Sequence, residues 1–444
     1  MTLIRHTPQE SRRRSAPAVL GVLATAQFLV VLSASIVNVA LPQIRDGLAL
    51  GPSGLSWVVN AYVLVFGALL LLGGRLGDVY GLRRVFLTGA ALFAASSLAA
   101  GLATGPTTLI AARAVQGAGG ALLAPTALAL ALTLFPDPRG RALALGVWGA
   151  VSGAGGAAGV LLSGLLTGGF GWRSVFFAMV PFALAVLAAA RLLPAAGPAR
   201  RGRLDLPGSL TVTGGLIAVV YGLSDRSWPV AAAGAVLLAV FVVLQRRSAE
   251  PLVPARVLTA GSVAAANVLM TLLGAVWLGL FFLLPLYQQR ALGYSPVETG
   301  LTQLPLAATV AVTSWFTSRL TGRFVLPAGI VLLAAGLAWL SPLPGDGTFL
   351  GTLLGPSLLI GAGLGVAFVR LTALSAEGVP AADSGLAGGL VNASRQVGGA
   401  VGLAALTAVS GTWGDSAAFR VLAALALLVG LLSLIVLTPR KETL

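Results

Sequence analysis

The chain has no cysteine, one histidine (His6) and thirteen acidic residues among 444, and only 9% of its residues are charged. Without cysteine there are no disulfides, thiol nucleophiles or cysteine-ligated zinc sites, and one histidine near the N-terminus cannot build a catalytic triad. No cofactor and no metal are therefore expected. Soluble domains carry about 25% charge, so charge is too scarce here to coat a water-soluble globule. What the chain has in abundance is apolar surface, with 57% hydrophobic residues. Its basic excess, 28 residues against 13, would suit nucleic acid if it formed a patch on a polar face. Instead the basic residues sit in short clusters between apolar runs. The partner they indicate is the lipid bilayer, not nucleic acid.

About 20 apolar residues cross a bilayer core as a helix. Fourteen such runs lie near 18–41, 55–74, 85–104, 107–135, 142–168, 174–193, 206–223, 228–244, 260–287, 297–317, 324–341, 348–375, 385–411 and 417–438. The first is no secretory signal peptide, because its apolar stretch continues to Leu41, beyond the length of such a segment. Basic residues in the connections set the orientation. Twenty fall on one side, five on the other, and Arg113, Arg370 and Arg395 fall inside runs. The expectation is an all-α polytopic protein of the cell inner (plasma) membrane, both termini cytoplasmic.

The two ends of the chain repeat a spacing. Leu41-Pro42 precedes Arg75 by 33 residues, and Leu284-Pro285 precedes Arg319 by 34. A duplicated six-helix unit accounts for this. It divides the chain into a tail (1–17), a six-helix bundle (18–193), a linker (194–205), a two-helix insert (206–244), a second six-helix bundle (260–438) and a tail (439–444). Parallel six-helix repeats form transporters whose substrate site lies near midplane between the halves.

The segment after the second run reads Gly74-Arg75-Leu76-Gly77-Asp78-Val79-Tyr80-Gly81-Leu82-Arg83-Arg84. Its small residues at 74, 77 and 81 permit close approach to neighbouring helices. Asp78 at a helix boundary suits a contact made in one conformation and broken in another. Gly74, Arg75, Gly77, Asp78, Gly81, Arg83 and Arg84 are thus candidate gating residues. In the fifth run Gly155, Gly159 and Ser163 share one helix face on which another backbone can pack, either as a static contact or as a hinge.

The 74–84 segment resembles the signature loop of the major facilitator superfamily, and further motifs resemble its fourteen-helix drug:proton antiporter (multidrug efflux) branch. Ile36-Val37-Asn38-Val39-Ala40-Leu41-Pro42 resembles the first-helix motif. Ala112-Arg113-Ala114-Val115-Gln116-Gly117 with Pro125 resembles that of the fourth. Gly171-Trp172-Arg173 is similar to the start of the sixth. Leu284-Pro285-Leu286-Tyr287-Gln288 with Gly293-Tyr294-Ser295-Pro296 is similar to the ninth-to-tenth junction, and Asn392-Ala393-Ser394-Arg395-Gln396 to the thirteenth helix. The resemblance implies a major-facilitator-type fold of two six-helix bundles plus a two-helix insert, and export of hydrophobic or amphipathic small molecules by a monomer. It also places Asn38, Arg113 and Gln116 at the central cavity. Arg395 invites the same reading, whereas Arg370 lies near a helix end and snorkels.

One departure bears on mechanism. Family members usually carry an aspartate five residues before Asn38, where this chain has Ser33. All thirteen acids fall in expected connections, tails or helix ends, and proton coupling needs a titratable group within the bundle. Three options follow: coupling by a rim acid (Asp46 or Glu298), a proton carried by the substrate, or uncoupled export. An acid-free cavity holding arginines favours neutral or anionic substrates over multivalent cations, with Trp57, Asn60, Tyr62, Asn267, Trp277, Tyr287 and Asn392 as further lining candidates. An intramembrane enzyme would need acid or histidine constellations that the sequence lacks. The alternatives within transport are a dedicated exporter of one host natural product, or an uncoupled facilitator or importer.

Overall fold

The computed structural model describes residues 8–135, 138–189, 193, 205–248, 251–317, 319–320, 322, 324–379 and 384–436, and among these every regular element is helical. Residues 1–7, the linker up to residue 204, the tail 439–444 and the charges Asp137, Arg191, Glu250, Arg323 and Asp383 lie outside the described residues. Helices are what the sequence demands, since a chain crossing lipid must satisfy each backbone N–H and C=O within its own segment.

In order they are α1 (Pro8–Ser35), α2 (Leu41–Gly47), α3 (Pro52–Tyr80), α4 (Leu82–Gly101), α5 (Pro106–Leu134), α6 (Pro138–Phe170), α7 (Ser174–Phe177), α8 (Met179–Ala189) and α9 (Leu206–Ser224). Then come α10 (Trp228–Arg247), α11 (Ala255–Leu258), α12 (Val263–Arg290), α13 (Pro296–Thr302), α14 (Leu304–Thr317), α15 (Val325–Leu340), α16 (Leu354–Leu374), α17 (Ser384–Trp413) and α18 (Asp415–Val436). Helix occupies all fourteen expected runs. Among the described residues nine helices are long and apolar enough to cross a membrane, and Ala158–Phe170, Ser174–Ala189 and Val325–Leu340 are shorter apolar helices.

Several boundaries differ from expectation, each for a local reason. The first run ends at Ser35 instead of 41, and the chain turns before α2 restarts with Pro42 in its first turn, where a missing N–H costs nothing. At its other end α1 reaches back to Pro8, into what was expected to be a tail. The sixth run breaks at Ala178 because Pro181 cannot donate to the Phe177 carbonyl. The tenth breaks at Gln303, just ahead of Pro305, and the twelfth opens on a π-helical turn, Phe349–Leu353. The expected loop at 74–84 is almost wholly helical. Gly74 through Tyr80 complete α3, and Gly81 alone turns the chain, at φ 95°, a conformation that other residues resist.

Helices α1–α8 pack chiefly among themselves, α3 against α4 and α5, and α1 against α5, α6 and α8. Helices α12–α18 do likewise, α12 against α16, α17 and α18, and α16 against α14 and α15. A seam separates the sets, crossed by α3 on α17, by α6 on α13 and α14, and by α2 on α12. The α9–α10 hairpin lies beside it, with α9 touching both α3 and α17. Lipid supplies no hydrophobic drive between helices, so backbone proximity at small residues must do the work. Gly73 faces the Ala121 carbonyl, Gly274 the Arg395 carbonyl and Gly398 the Thr271 carbonyl, each with too little room for a Cβ.

Candidate functional site

Two arginines organise the interior, in different ways. Arg113 on α5 is fully buried among the first set of helices. Its Nε donates to the Val58 carbonyl on α3 (3.1 Å), and its Nη groups donate to Ser33 Oγ (2.9 Å), to the Ser33 carbonyl (3.3 Å) and to Gln116 Oε1. The guanidinium also lies 4.4 Å from the centroid of the Tyr62 ring. Gln116 in turn donates to Ser97 Oγ on α4 (2.7 Å), and Tyr62 to the Val30 carbonyl on α1 (2.8 Å). Neutral dipoles and one ring face therefore solvate a cation in apolar surroundings. Ser33, the residue in place of an expected acid, is its direct partner. Arg113, Gln116 and Tyr62, expected at the central cavity, are all buried within the bundle here and tie α1, α3, α4 and α5 together.

Arg395 is placed otherwise. It sits near the middle of α17, half-buried. One Nη donates to Asn392 Oδ1 (3.0 Å), while Nε is buried with no partner. Its guanidinium faces Phe368 of α16 at 5.5 Å and Trp277 of α12 at 5.8 Å. Trp277 leans on Phe368 (6.0 Å) and Phe281 (5.6 Å), so rings from two helices flank one cation and a third ring backs Trp277 to form a box. The next residue, Gln396, meets Gly67 of α3 across the seam. Asn267, buried on α12, accepts from Ser394 Oγ (2.8 Å) and ties α12 to α17.

The remaining candidates scatter. Trp57 is not beside Arg395; it lines an apolar cleft of about 360 Å³ with Leu64, Ile110, Ala114 and Ile217, between α3, α5 and α9, and tilts over Tyr221 at 6.4 Å. Tyr287 is buried and donates to the Pro344 carbonyl (2.6 Å). Gln288 joins Thr302 (3.1 Å) and Gln303 (3.1 Å), linking α12 to the α13–α14 break. Asn38 and Asn60 are buried; Asn38 Oδ1 and both polar atoms of Asn60 lack partners. Asp46 is exposed on α2. Glu298 is exposed and helps cap α13, its carboxylate accepting from the Ser295 N–H (2.8 Å) while Ser295 Oγ accepts from the Glu298 N–H (3.2 Å). Asp78 is exposed at the end of α3.

Gly155 and Gly159 turn toward α1, where added Cβ atoms would meet Val31 Cβ at 3.1 Å and Ser35 Oγ at under van der Waals distance. Buried Ser163 on the same run has an unpartnered hydroxyl. The contact across the seam falls to neighbours that sequence reasoning did not single out. A Cβ on Gly164 would stand 2.6 Å from the Pro296 carbonyl, and one on Gly168 2.8 Å from Val297 Cγ2. At the same end Gln289 donates to the Val39 carbonyl (2.9 Å). The α9–α10 turn adds a staple: Asp225 accepts from Ser53 Oγ of α3 (2.6 Å), and Arg226 donates to Thr412 Oγ1 of α17. Phe281 and Phe368 were missed because lone aromatics in apolar runs carry no pattern. Gly164 lies one residue past Ser163 and was legible only as part of a glycine-rich stretch.

An all-helical polytopic protein with two helix sets meeting at a seam, and a charged, aromatic-lined site beside that seam, belongs to the class of membrane transporters. The family model of the Major Facilitator Superfamily matches residues 23–403, and the chain belongs to that superfamily. It is 42% identical over 435 residues to the cephamycin export protein of Amycolatopsis lactamdurans, covering 93% of this chain and 89% of that one. It is 41% identical over 408 residues to the puromycin resistance protein of Streptomyces alboniger, covering 88% and 81%. Among solved structures it resembles an auto-inhibited POT-family peptide transporter, with a TM-score of 0.73 at 14% identity over 95% and 96% of the two chains, a likeness of fold.

Proposed function

We propose that this protein is an alternating-access exporter of amphipathic small molecules, antibiotics among them, in the plasma membrane with both termini cytoplasmic. Helices within 18–193 and 260–438 form its two moving halves, 206–244 is an inserted hairpin, and the chain works as a monomer. The observation that carries this reading is the seam: a half-buried cation with aromatic walls, near the middle of α17, lies next to the contact between the two helix sets. The names of the two relatives, an export protein and a resistance protein, support outward movement.

Coupling follows from Ser33. The position that would carry a titratable acid holds a hydroxyl bound to Arg113, Glu298 is engaged in capping a helix, and Asp46 lies exposed at the rim. We infer that substrate movement is not tied to proton exchange within the bundle. The test is counterflow and pH-gradient transport in proteoliposomes with a panel of neutral, anionic and dicationic compounds. Accumulation of neutral or anionic members without proton flux is expected. Substrate-dependent proton flux sinks the uncoupled reading, and preference for dications sinks the electrostatic one. A second reading, export of one compound made by the same cell, is favoured by relatives named for single antibiotics. A panel in which one scaffold alone moves would select it.

A further inference from the structure

We propose that Arg395, Asn392, Trp277 and Phe368 form the recognition site for an acidic group carried on a flat aromatic or conjugated body, so that organic monoanions of this shape are the substrates held at midplane. This rests on the transporter reading above and adds to it the chemical class of the cargo.

The geometry makes the case in three steps. First, the guanidinium is under-used. It has five N–H donors in a fork matched to a carboxylate. The bond to Asn392 Oδ1 takes one, ring faces take none in the guanidinium plane, and Nε is buried without a partner. Second, no acid is built in to pair with it. Helices α12, α16 and α17 contain no Asp or Glu along their whole length. A cation at bilayer depth without a counter-charge is costly and marks a site facing a cavity or partner. Arg113 meets the same cost with a full shell of dipoles around it, whereas Arg395 does not. Third, the site faces the protein interior. Lipid-facing positions on the same helices are strongly exposed and apolar, Val268 at 57% and Leu358 at 43%. Trp277, Phe368, Asn392 and Arg395 are instead half-buried together, with Gln396 touching α3 across the seam. An aromatic body seated against Trp277 and Phe368 presents its acidic group to the free edge of the guanidinium. Charge-assisted bonds in such a setting are about twice as strong as neutral ones.

The test uses 2-naphthoate and 2-naphthamide, which share a shape and differ in charge. Binding to the purified full-length protein is read by tryptophan quenching, and movement by counterflow in proteoliposomes. Wild-type protein is expected to prefer the acid by about tenfold or more, as one charged hydrogen bond implies. Arg395→Gln should bring the acid down to the level of the amide and leave the amide within about twofold, which also shows that the variant is folded. Arg395→Lys should keep part of the preference, charge without the fork. Trp277→Leu should weaken both compounds together. Equal affinity for acid and amide in the wild type, or equal loss of both in Arg395→Gln and Arg395→Lys, overturns the proposal. Acid-selective binding with no movement of any compound leaves the anion site standing and defeats the transporter reading. Movement of neutral compounds with no preference for the acid does the reverse.

Discussion

Arg113 brings a permanent charge into the first helix set, and Ser33 is the side-chain hydroxyl that meets it. Hydrogen bonds to a buried charge contribute about 1.5–3 kcal/mol each, so the cluster acts as a rivet through α1, α3 and α5. Ser33→Ala removes one acceptor and strands an N–H; thermal unfolding of detergent-purified protein should register a loss of about 1.5–3 kcal/mol. Ser33→Asp should have a different consequence. It sets a titratable group against Arg113 where the bundle has none, and a pH dependence of transport absent from the wild type is the expected gain. A flat pH profile in that variant would count against Ser33 as the reason coupling is missing. Ser33, which in the sequence reads as a missing acid, is in three dimensions a specific partner of one arginine. Sequence spacing put Ser33 and Arg113 80 positions apart and could not join them.

At the scale of elements, α6 has two working faces. Gly155 and Gly159 hold it against α1 in its own set, whereas Gly164 and Gly168 meet α13 across the seam. The glycine-rich run was legible as a close-packing helix, but a helical repeat does not say which neighbour each face meets. Gly164→Val should wedge α6 from α13, because its Cβ would stand 2.6 Å from a backbone carbonyl that cannot rotate away. Transport should fall on the order of tenfold, the result of a population shift between two states, with expression intact. Gly21→Ala, where added bulk meets nothing within 4 Å, should leave both unchanged. The α3–α4 junction teaches the complementary point. Its residues read as a loop by charge, yet they are helical, because Gly81 alone suffices to reverse the chain.

For the whole molecule, the contacts of α6 with α13, of Gln289 with Val39, and of the α9–α10 turn with α3 and α17 close the seam at one end. We propose that this is the outer end and that it opens during export. The absence of cysteine makes a direct test clean. In a Gly168→Cys/Val297→Cys variant the two positions are close enough for a disulfide. Oxidation should cross-link them and arrest transport, and reduction should restore it. Undiminished transport in the oxidised protein would show that this end does not open.

Composition and charge placement alone gave a helical membrane protein, an expected orientation, and acids kept to connections, tails and helix ends. Motif order alone carried the family. These are legible because bilayer thickness, hydrogen-bond satisfaction and the positive-inside bias act on short stretches of chain, one at a time. Tertiary structure decided which of two intramembrane arginines is a rivet and which has donors to spare. It also separated Trp57 from Trp277 and assigned Gly159 to α1 and Gly164 to the seam. Those outcomes depend on which helix faces meet, and a face is chosen by backbone approach between segments far apart in the chain. The scarce charge that first marked the chain as a membrane protein thus acquires a chemical meaning only when the fold brings Arg395 to a wall of aromatic rings.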